Sequence, residues 1–307
     1  MRKAITLIEI IVTLVVASVL SIGMFQALEA VAIISQKAKI RTNHSLDTQS
    51  AIDQISLLMY DRVPNSVVGY NPTSGIIKPF NELINGDDIK VLQWIGTFSE
   101  AQKKAYYSGF VDMNASSKPR LSAPDTNRTG IRNLLDEKWG STSFTQLSLV
   151  FAGAFDAGVT QNRYGWNGSG SEDALKITNL TNTNIILTNP NNATYIYEKY
   201  YLADSAYAVA RGIDINSTVD CITDLHVRDV NNTLFLFYNF RPWDGERFCA
   251  DKNGGVSRSG RATVLAEDIK SFRVEIVNGL YRISIETNAS VNGSKVPVRV
   301  SKQKVVF

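Results

Sequence analysis

Proline is missing from the chain before Pro64, and no glycine falls between Gly23 and Gly69. The two residues that most readily interrupt a helix are therefore almost absent from the opening stretch. One continuous helix from about Ile5 to Arg62 follows, on the order of 85 Å long. Histidine is nearly absent too. His44 and His226 stand alone, too few and too far apart in sequence for a metal cluster. No glycine-rich phosphate loop follows a strand, and no nucleophile motif sits at a strand-to-helix turn. Enzyme chemistry thus has no positive support, and no catalytic residue, metal or cofactor is expected. Charge of one sign is also lacking: the net charge is +3. So small and dispersed an excess does not call for a nucleic-acid partner. Its one local concentration is Lys295, Arg299, Lys302 and Lys304, on an expected strand. Lysines on a solvated edge protect it from aggregation, and a DNA- or lipid-facing patch is the alternative.

Cysteine occurs twice, at Cys221 and Cys249, without the CxxC spacing of a redox or zinc site. In an oxidising compartment the pair reads as one disulfide closing a loop of about 29 residues, worth roughly 3–4 kcal/mol. Two free buried cysteines are the alternative.

What the chain does have is a long apolar run. Ile5 to Phe25 carries a single charge, Glu9, and is preceded by Arg2, Lys3 and Ala4. A helix over that run is about 31 Å long, enough to cross the hydrocarbon core. A secretory signal has an apolar core of only about 7–15 residues. A carboxylate within the apolar core costs on the order of 2.5–3.5 kcal/mol, so Glu9 either lies near an interface or has a partner. An uncleaved single-pass anchor with Glu9 at the headgroups is the simpler reading of the same residues.

The basic leader, the small residue, Ile5-Thr6-Leu7-Ile8-Glu9 and the apolar helix together resemble the N-terminus of type IV pilins and type II secretion pseudopilins. The resemblance implies cleavage by prepilin peptidase between Ala4 and Ile5, with N-methylation of Ile5. It makes Glu9 the carboxylate that meets the terminal amine of a neighbouring subunit during assembly. This chain departs from the family in having Ala4 and Ile5 where glycine and phenylalanine are usual. It also has Gln26 near where many members carry a kinking proline. Partners implied are other pilin or pseudopilin subunits, prepilin peptidase, the inner-membrane assembly platform and the lipid bilayer. The implied location is the bacterial inner membrane, single-pass, with a cytoplasmic N-terminus and a periplasmic domain. Arg2 and Lys3 favour that orientation. Val264 to Val274 (VLAEDIKSFRV), after a tyrosine- and arginine-bearing region at Tyr200–Arg211, is similar to the late region of J-type minor pseudopilins. The K-type subunit characteristically lacks the assembly glutamate, so Glu9 argues against that role.

The expected organisation is a leader over 1–4, a transmembrane helix over 5–25, a helix continuation over 26–62 and a mainly-β domain over 63–307. The fold class is α+β, with the long helix packed on an antiparallel β domain. Ile52, Ile55 and Met59, with Leu58 beside them, form the stripe that would dock on the domain, whereas 35–50 is polar nearly all round. Leu147, Leu149 and Phe151 alternate with Ser148 and Val150 as in a strand, and Thr233–Phe240 is a strand apolar on both faces. Tyr195–Ile213 reads as two strands joined near Ala203-Asp204-Ser205, with its tyrosines paired across a sheet. Residues 162–173 (NRYGWNGSGSED) read as a mobile surface loop. Asn278-Gly279 is a hairpin turn that sets Val277 opposite Leu280, Glu275 opposite Arg282 and Phe272 opposite Ile285. A second turn at Asn292-Gly293 completes a three-stranded meander.

Asp220, Asp224, Asp244, Glu246 and Asp251 crowd the cysteines without the spacing of a calcium loop, and solvated loops are expected there. Asparagine followed by x-Ser/Thr, with an acid two positions ahead, occurs at Asn114, Asn127, Asn216, Asn231 and Asn288. The pattern resembles bacterial N-glycosylation acceptors; chance in an Asn- and Thr-rich chain accounts for it equally well. Functionally the sequence points to a minor pilin or pseudopilin near a fibre tip. The alternatives are a membrane-tethered binding or adhesin module and, further off, an anchored enzyme.

Overall fold

The computed structural model describes residues 7–79, 82, 89–153, 163–166, 171, 173–188, 196–215, 220–223, 225–249, 260–277, 279–291, 294 and 296–306. It is an α+β structure: a long apolar N-terminal helix and a mainly antiparallel β domain. Helix α1 runs unbroken from Leu7 to Tyr60. With no proline to remove a hydrogen bond, it continues until the chain turns into the domain at Asp61.

The domain's strands are β1 (Val68–Tyr70), β2 (Ile77–Pro79), β3 (Val91–Thr97), β4 (Arg120–Ser122), β5 (Ser148–Phe151), β6 (Leu175–Leu180) and β7 (Asn184–Leu187). They continue with β8 (Tyr200–Arg211), β9 (Leu234–Phe240), β10 (Arg261–Ala266), β11 (Ile269–Val277), β12 (Leu280–Ala289) and β13 (Val298–Val306). Among the described residues β1–β10 form one sheet and β11–β13 a separate meander. Strand β8 is the spine of the large sheet. It pairs with β3 along one edge, and with β5 and then β9 along the other.

Alternation along the central strands divides the core. Val91 and Ile95 of β3, Ala206, Ala208 and Ala210 of β8, and Phe235 and Phe237 of β9 face one side. Leu92 and Trp94, Val209, and Leu234 and Leu236 face the other, where α1 lies. Period-two side-chain geometry makes a strand buried on both faces read as continuously apolar, as 234–240 does. The alternation at 147–151 is also present: Leu147, Leu149 and Phe151 enter a third cluster, and Val150 enters the β8 alanine face. That third cluster is closed by helix α3 (Arg128–Trp139), after the short α2 (Ser99–Lys103). Asn127 caps α3 by accepting from the Gly130 amide at 2.8 Å, and Gly140 ends it with φ +66°.

The hairpin has the expected register, with Val277 opposite Leu280, Glu275 opposite Arg282 and Phe272 opposite Ile285. Arg282 and Glu275 form an ion pair across the strands. Strand β13 then pairs with β12 to complete the meander. Asn278, Asn292 and Gly293 lie outside the described residues; Gly279 has the positive φ that such a turn needs, +77°.

Two expectations are corrected. Residues 200–211 are one strand, not two. Asp204 and Ser205 look like turn residues, but both are fully buried and hydrogen-bonded. Asp204 accepts from Lys138 Nζ at 2.7 Å and Trp139 Nε1 at 3.0 Å. Ser205 Oγ accepts from the Asn239 amide at 2.9 Å, where β9 bulges through a φ of +58°. The tyrosine at 207 does stack across the sheet on Trp94, at 5.7 Å. The second correction concerns 162–173. Tyr164 and Trp166 are core residues, not the aromatics of a mobile surface loop. Gly165, at φ +82°, lets the chain press against the backbone of Pro242, where a Cβ would overlap the carbonyl oxygen.

Candidate functional site: the two halves of the long helix

Every residue of α1 from Leu7 to Ala32 is exposed. That half spans about 39 Å, more than the roughly 30 Å of a hydrocarbon core. It is long and apolar enough to cross a membrane, and a single helix of this kind is compatible with a single-pass anchor. Its only charges are Glu9 and Glu29. They stand about 30 Å apart along the axis, so both carboxylates reach interfaces when the helix spans. The hydroxyls between them need no water. Ser18 donates to the Leu14 carbonyl at 2.7 Å, Ser21 to that of Ala17 at 2.8 Å, and Thr13 to that of Glu9. Back-bonded in this way, they are tolerated in an apolar surrounding. Ala4 and Ile5, the expected cut site, lie outside the described residues.

The other half is built into the domain. Ile33, Lys37, Ile40 and His44 are half-buried along one stripe, which continues through buried Thr48, Ala51, Ile52, Ile55 and Met59. The expected docking stripe is therefore present. The segment 35–50 shows one covered face where the sequence reads as polar all round. Opposite it lie Leu92, Trp94, Leu236, Ile283, Ile285 and Val306. Polar contacts tie the domain-packed half of the helix to the sheet: His44 Nε2 lies 3.8 Å from the Asp268 carboxylate, and Asp53 pairs with Lys304 at 2.7 Å. Lys302 and Lys304 lie between Val300 and Val306 on the helix-facing side of β13 and are half-buried. The basic run lies on the meander's edge strand as expected, with Arg299 exposed and the Lys304 side chain 41 % exposed; Lys304 is in addition tied to the helix through Asp53. Lys295 lies outside the described residues.

The helix ends in a clamp. Asp61 accepts from Ser99 at 2.7 Å and Lys103 at 2.8 Å, while its carbonyl receives the Thr97 amide at 2.8 Å. Arg62 lies over the Tyr281 ring at 4.8 Å. Burial alone would raise the Asp61 carboxyl, but the Lys103 and Ser99 hydrogen bonds outweigh it and hold the group below its ordinary 3.8. A depressed carboxylate contributes stability that is complete above its unfolded-state pKa and lost as pH falls through the folded one. Thermal unfolding of the solubilised chain should therefore lose stability below about pH 4. Asp61→Asn should flatten that acid limb, and an unchanged limb would remove Asp61 from the account.

Cys221 and Cys249 form a disulfide, with Cα atoms 5.6 Å apart. Of the nearby acids, Asp244 pairs with Lys176 at 2.6 Å and Glu246 with Arg241 at 3.4 Å. Asp224 and Asp251 lie outside the described residues. Among the described residues no group of three His, Cys, Asp or Glu side chains could hold a metal ion.

The expected glycan acceptors are scattered. Asn114, Asn127, Asn231 and Asn288 are exposed, and Asn216 lies outside the described residues. Local structure already uses several of these motifs. Asn127 is the α3 cap, and Asp112 and Asp229 each accept the backbone N–H two residues on, at 2.9 and 3.1 Å. The recurring acid-x-Asn is thus an Asx-turn at two of its sites. Compared with known proteins, no family model, no curated sequence and no solved structure matches this chain.

Proposed function

We propose that this chain is a minor pilin or pseudopilin. Prepilin peptidase cuts it between Ala4 and Ile5, and α1 holds it in the bacterial inner membrane with the domain on the periplasmic side. It then joins related subunits at or near the tip of a type IV pilus, a type II secretion pseudopilus or a competence fibre.

The observation that carries this reading is the continuity of α1. Its exposed apolar half, with Glu9 near the start, and its domain-packed half are one helix. A plain tether needs only a membrane span and a flexible linker. A rigid helix built into the domain core moves the domain with it. Once drawn out of lipid, its bare half needs the helices of other subunits to cover it. Glu9 then enters apolar surroundings, where a carboxylate needs a cation within reach. The amine created at Ile5 of a neighbouring subunit supplies one. Arg2 and Lys3 set the orientation.

The mature N-terminus tests the proposal. Coexpression with prepilin peptidase should yield a chain that begins at N-methylated Ile5, read by intact mass and terminal sequencing. Persistence of Met1 in the presence of active peptidase would overturn it.

A further inference from the structure

The face of the large sheet that turns away from α1 carries a cavity. Strand β8 places small residues there, Ala206, Ala208 and Ala210, beside Phe240, Phe237 and Phe235 of β9 in register. On the other edge, Gln93 of β3 lies opposite Ala208, with Val68 of β1 beyond it. Beside that packed face, between β1, β3 and the segments after β9, lies a cavity of about 340 Å³. That is the lower end of the range of about 300–1,000 Å³ for small-molecule sites.

The walls are aromatic: Tyr70, Trp166, Phe240 and Phe248 all line it. Phe248 is held by edge-on contacts to Phe237 at 5.1 Å, Tyr70 at 6.2 Å and Phe240 at 6.4 Å. The neighbouring disulfide, through Cys249, stiffens the same wall.

Gln93 decides what the cavity can take. Its side chain is only 5 % exposed, lines the cavity, and has no hydrogen-bond partner among the described residues. Trp166 Nε1, from another wall of the cavity, is buried without a hydrogen-bond partner among the described residues. The amide end of Gln93 is not sealed from solvent: it opens onto the cavity, where water or a ligand can pair with it. An amide both donates and accepts, so it suits hydroxyl groups, which do the same. The wall also offers the Glu246 carboxylate, held by Arg241, and the exposed Arg247. Glu246 and Arg241 cancel, and Arg247 is exposed to solvent, so the enclosed part of the cavity does not select for net charge.

We infer that this cavity binds a neutral sugar ring of a glycan. The apolar C–H face of the ring lies against the aromatic walls, and its hydroxyls pair with Gln93 and Glu246. An apolar peptide side chain would fill the same walls but leave Gln93 unpaired. The inference does not depend on fibre assembly, because the site lies on the face of the sheet opposite α1.

The test uses the full chain in detergent micelles, titrated with methyl glycosides of neutral hexoses and N-acetylhexosamines and with their disaccharides. Binding is read by ligand-observed NMR and calorimetry. At least one glycoside should saturate the site at millimolar concentration or below. Gln93→Leu, close in volume, should weaken it about tenfold without lowering Tm. Tyr70→Ala, at a half-buried position, should weaken it too and serves alone if the strand variant fails to fold. Absence of binding across the panel would overturn the inference. So would binding that neither substitution changes, or binding of a proline- or aromatic-rich peptide with no glycoside bound.

Discussion

Glu9→Leu is expected to lower incorporation of this chain into a co-assembled fibre by about a hundredfold or more, while leaving Tm of the domain unchanged. The size follows from what the substitution leaves behind. In the proposed fibre the neighbour's terminal amine is buried among apolar helices, and removing one member of a buried ion pair costs about 3–5 kcal/mol. The same change in the membrane-held monomer should be neutral or favourable, since it removes a carboxylate from an apolar run. Only the assembled state is therefore penalised, and the variant should accumulate in the membrane. Quantitative blotting of sheared fibres against membranes, with processing at Ile5 checked by mass, gives the ratio. Wild-type incorporation would show that Glu9 is not the assembly contact. Glu9→Gln keeps the shape and removes the charge, so it should behave like leucine if charge is the determinant.

The elements most legible in the sequence were those whose specification is local. The absence of proline and glycine laid out α1, and Ile52, Ile55 and Met59 marked the face it buries. The turn at 278–279 determined a hairpin register that holds pair by pair, Glu275 to Arg282 included. Where polar residues are satisfied by distant partners, local reading failed. Asp204 and Ser205 resemble a turn because Lys138, Trp139 and Asn239 are invisible from their position. Trp166 resembles a surface aromatic because its cover, Pro242 and Phe240, comes from far along the chain. The short helix 128–139 did carry its signals, with Asn127 before it, Gly140 after it, and Ile131, Leu134 and Leu135 at helical spacing. The cavity has no local signature at all. Gln93, Tyr70, Trp166 and Phe248 come from four separate segments.

Removing the disulfide should produce the largest loss of stability. Cys221 and Cys249 are 28 residues apart, and freeing a loop of that size gives the unfolded chain entropy that lowers stability by roughly 3–4 kcal/mol. For a domain of this size, that is a fall in Tm of roughly 7–15 °C. The enclosed segment contains all of β9, which carries Phe235, Phe237 and Phe240 into the core and pairs with both β8 and β10. With one end of that segment released, the strand binding two neighbours is the one that gains freedom, so the loss should be cooperative rather than a fraying of the rim. Scanning calorimetry of Cys221→Ser/Cys249→Ser, and of the wild type with and without reductant, gives the shift; an unmoved Tm would mean that the bond does not constrain the unfolded chain. Cleavage at Ile5 should be untouched in the double variant, because the bare half of α1 lies outside the core that β9 supports. Loss of stability with normal processing in this variant, and normal stability with failed incorporation in Glu9→Leu, would separate the domain's packing from the helix's assembly role. Sites that far apart, with no shared partner, are expected to combine additively in the triple variant.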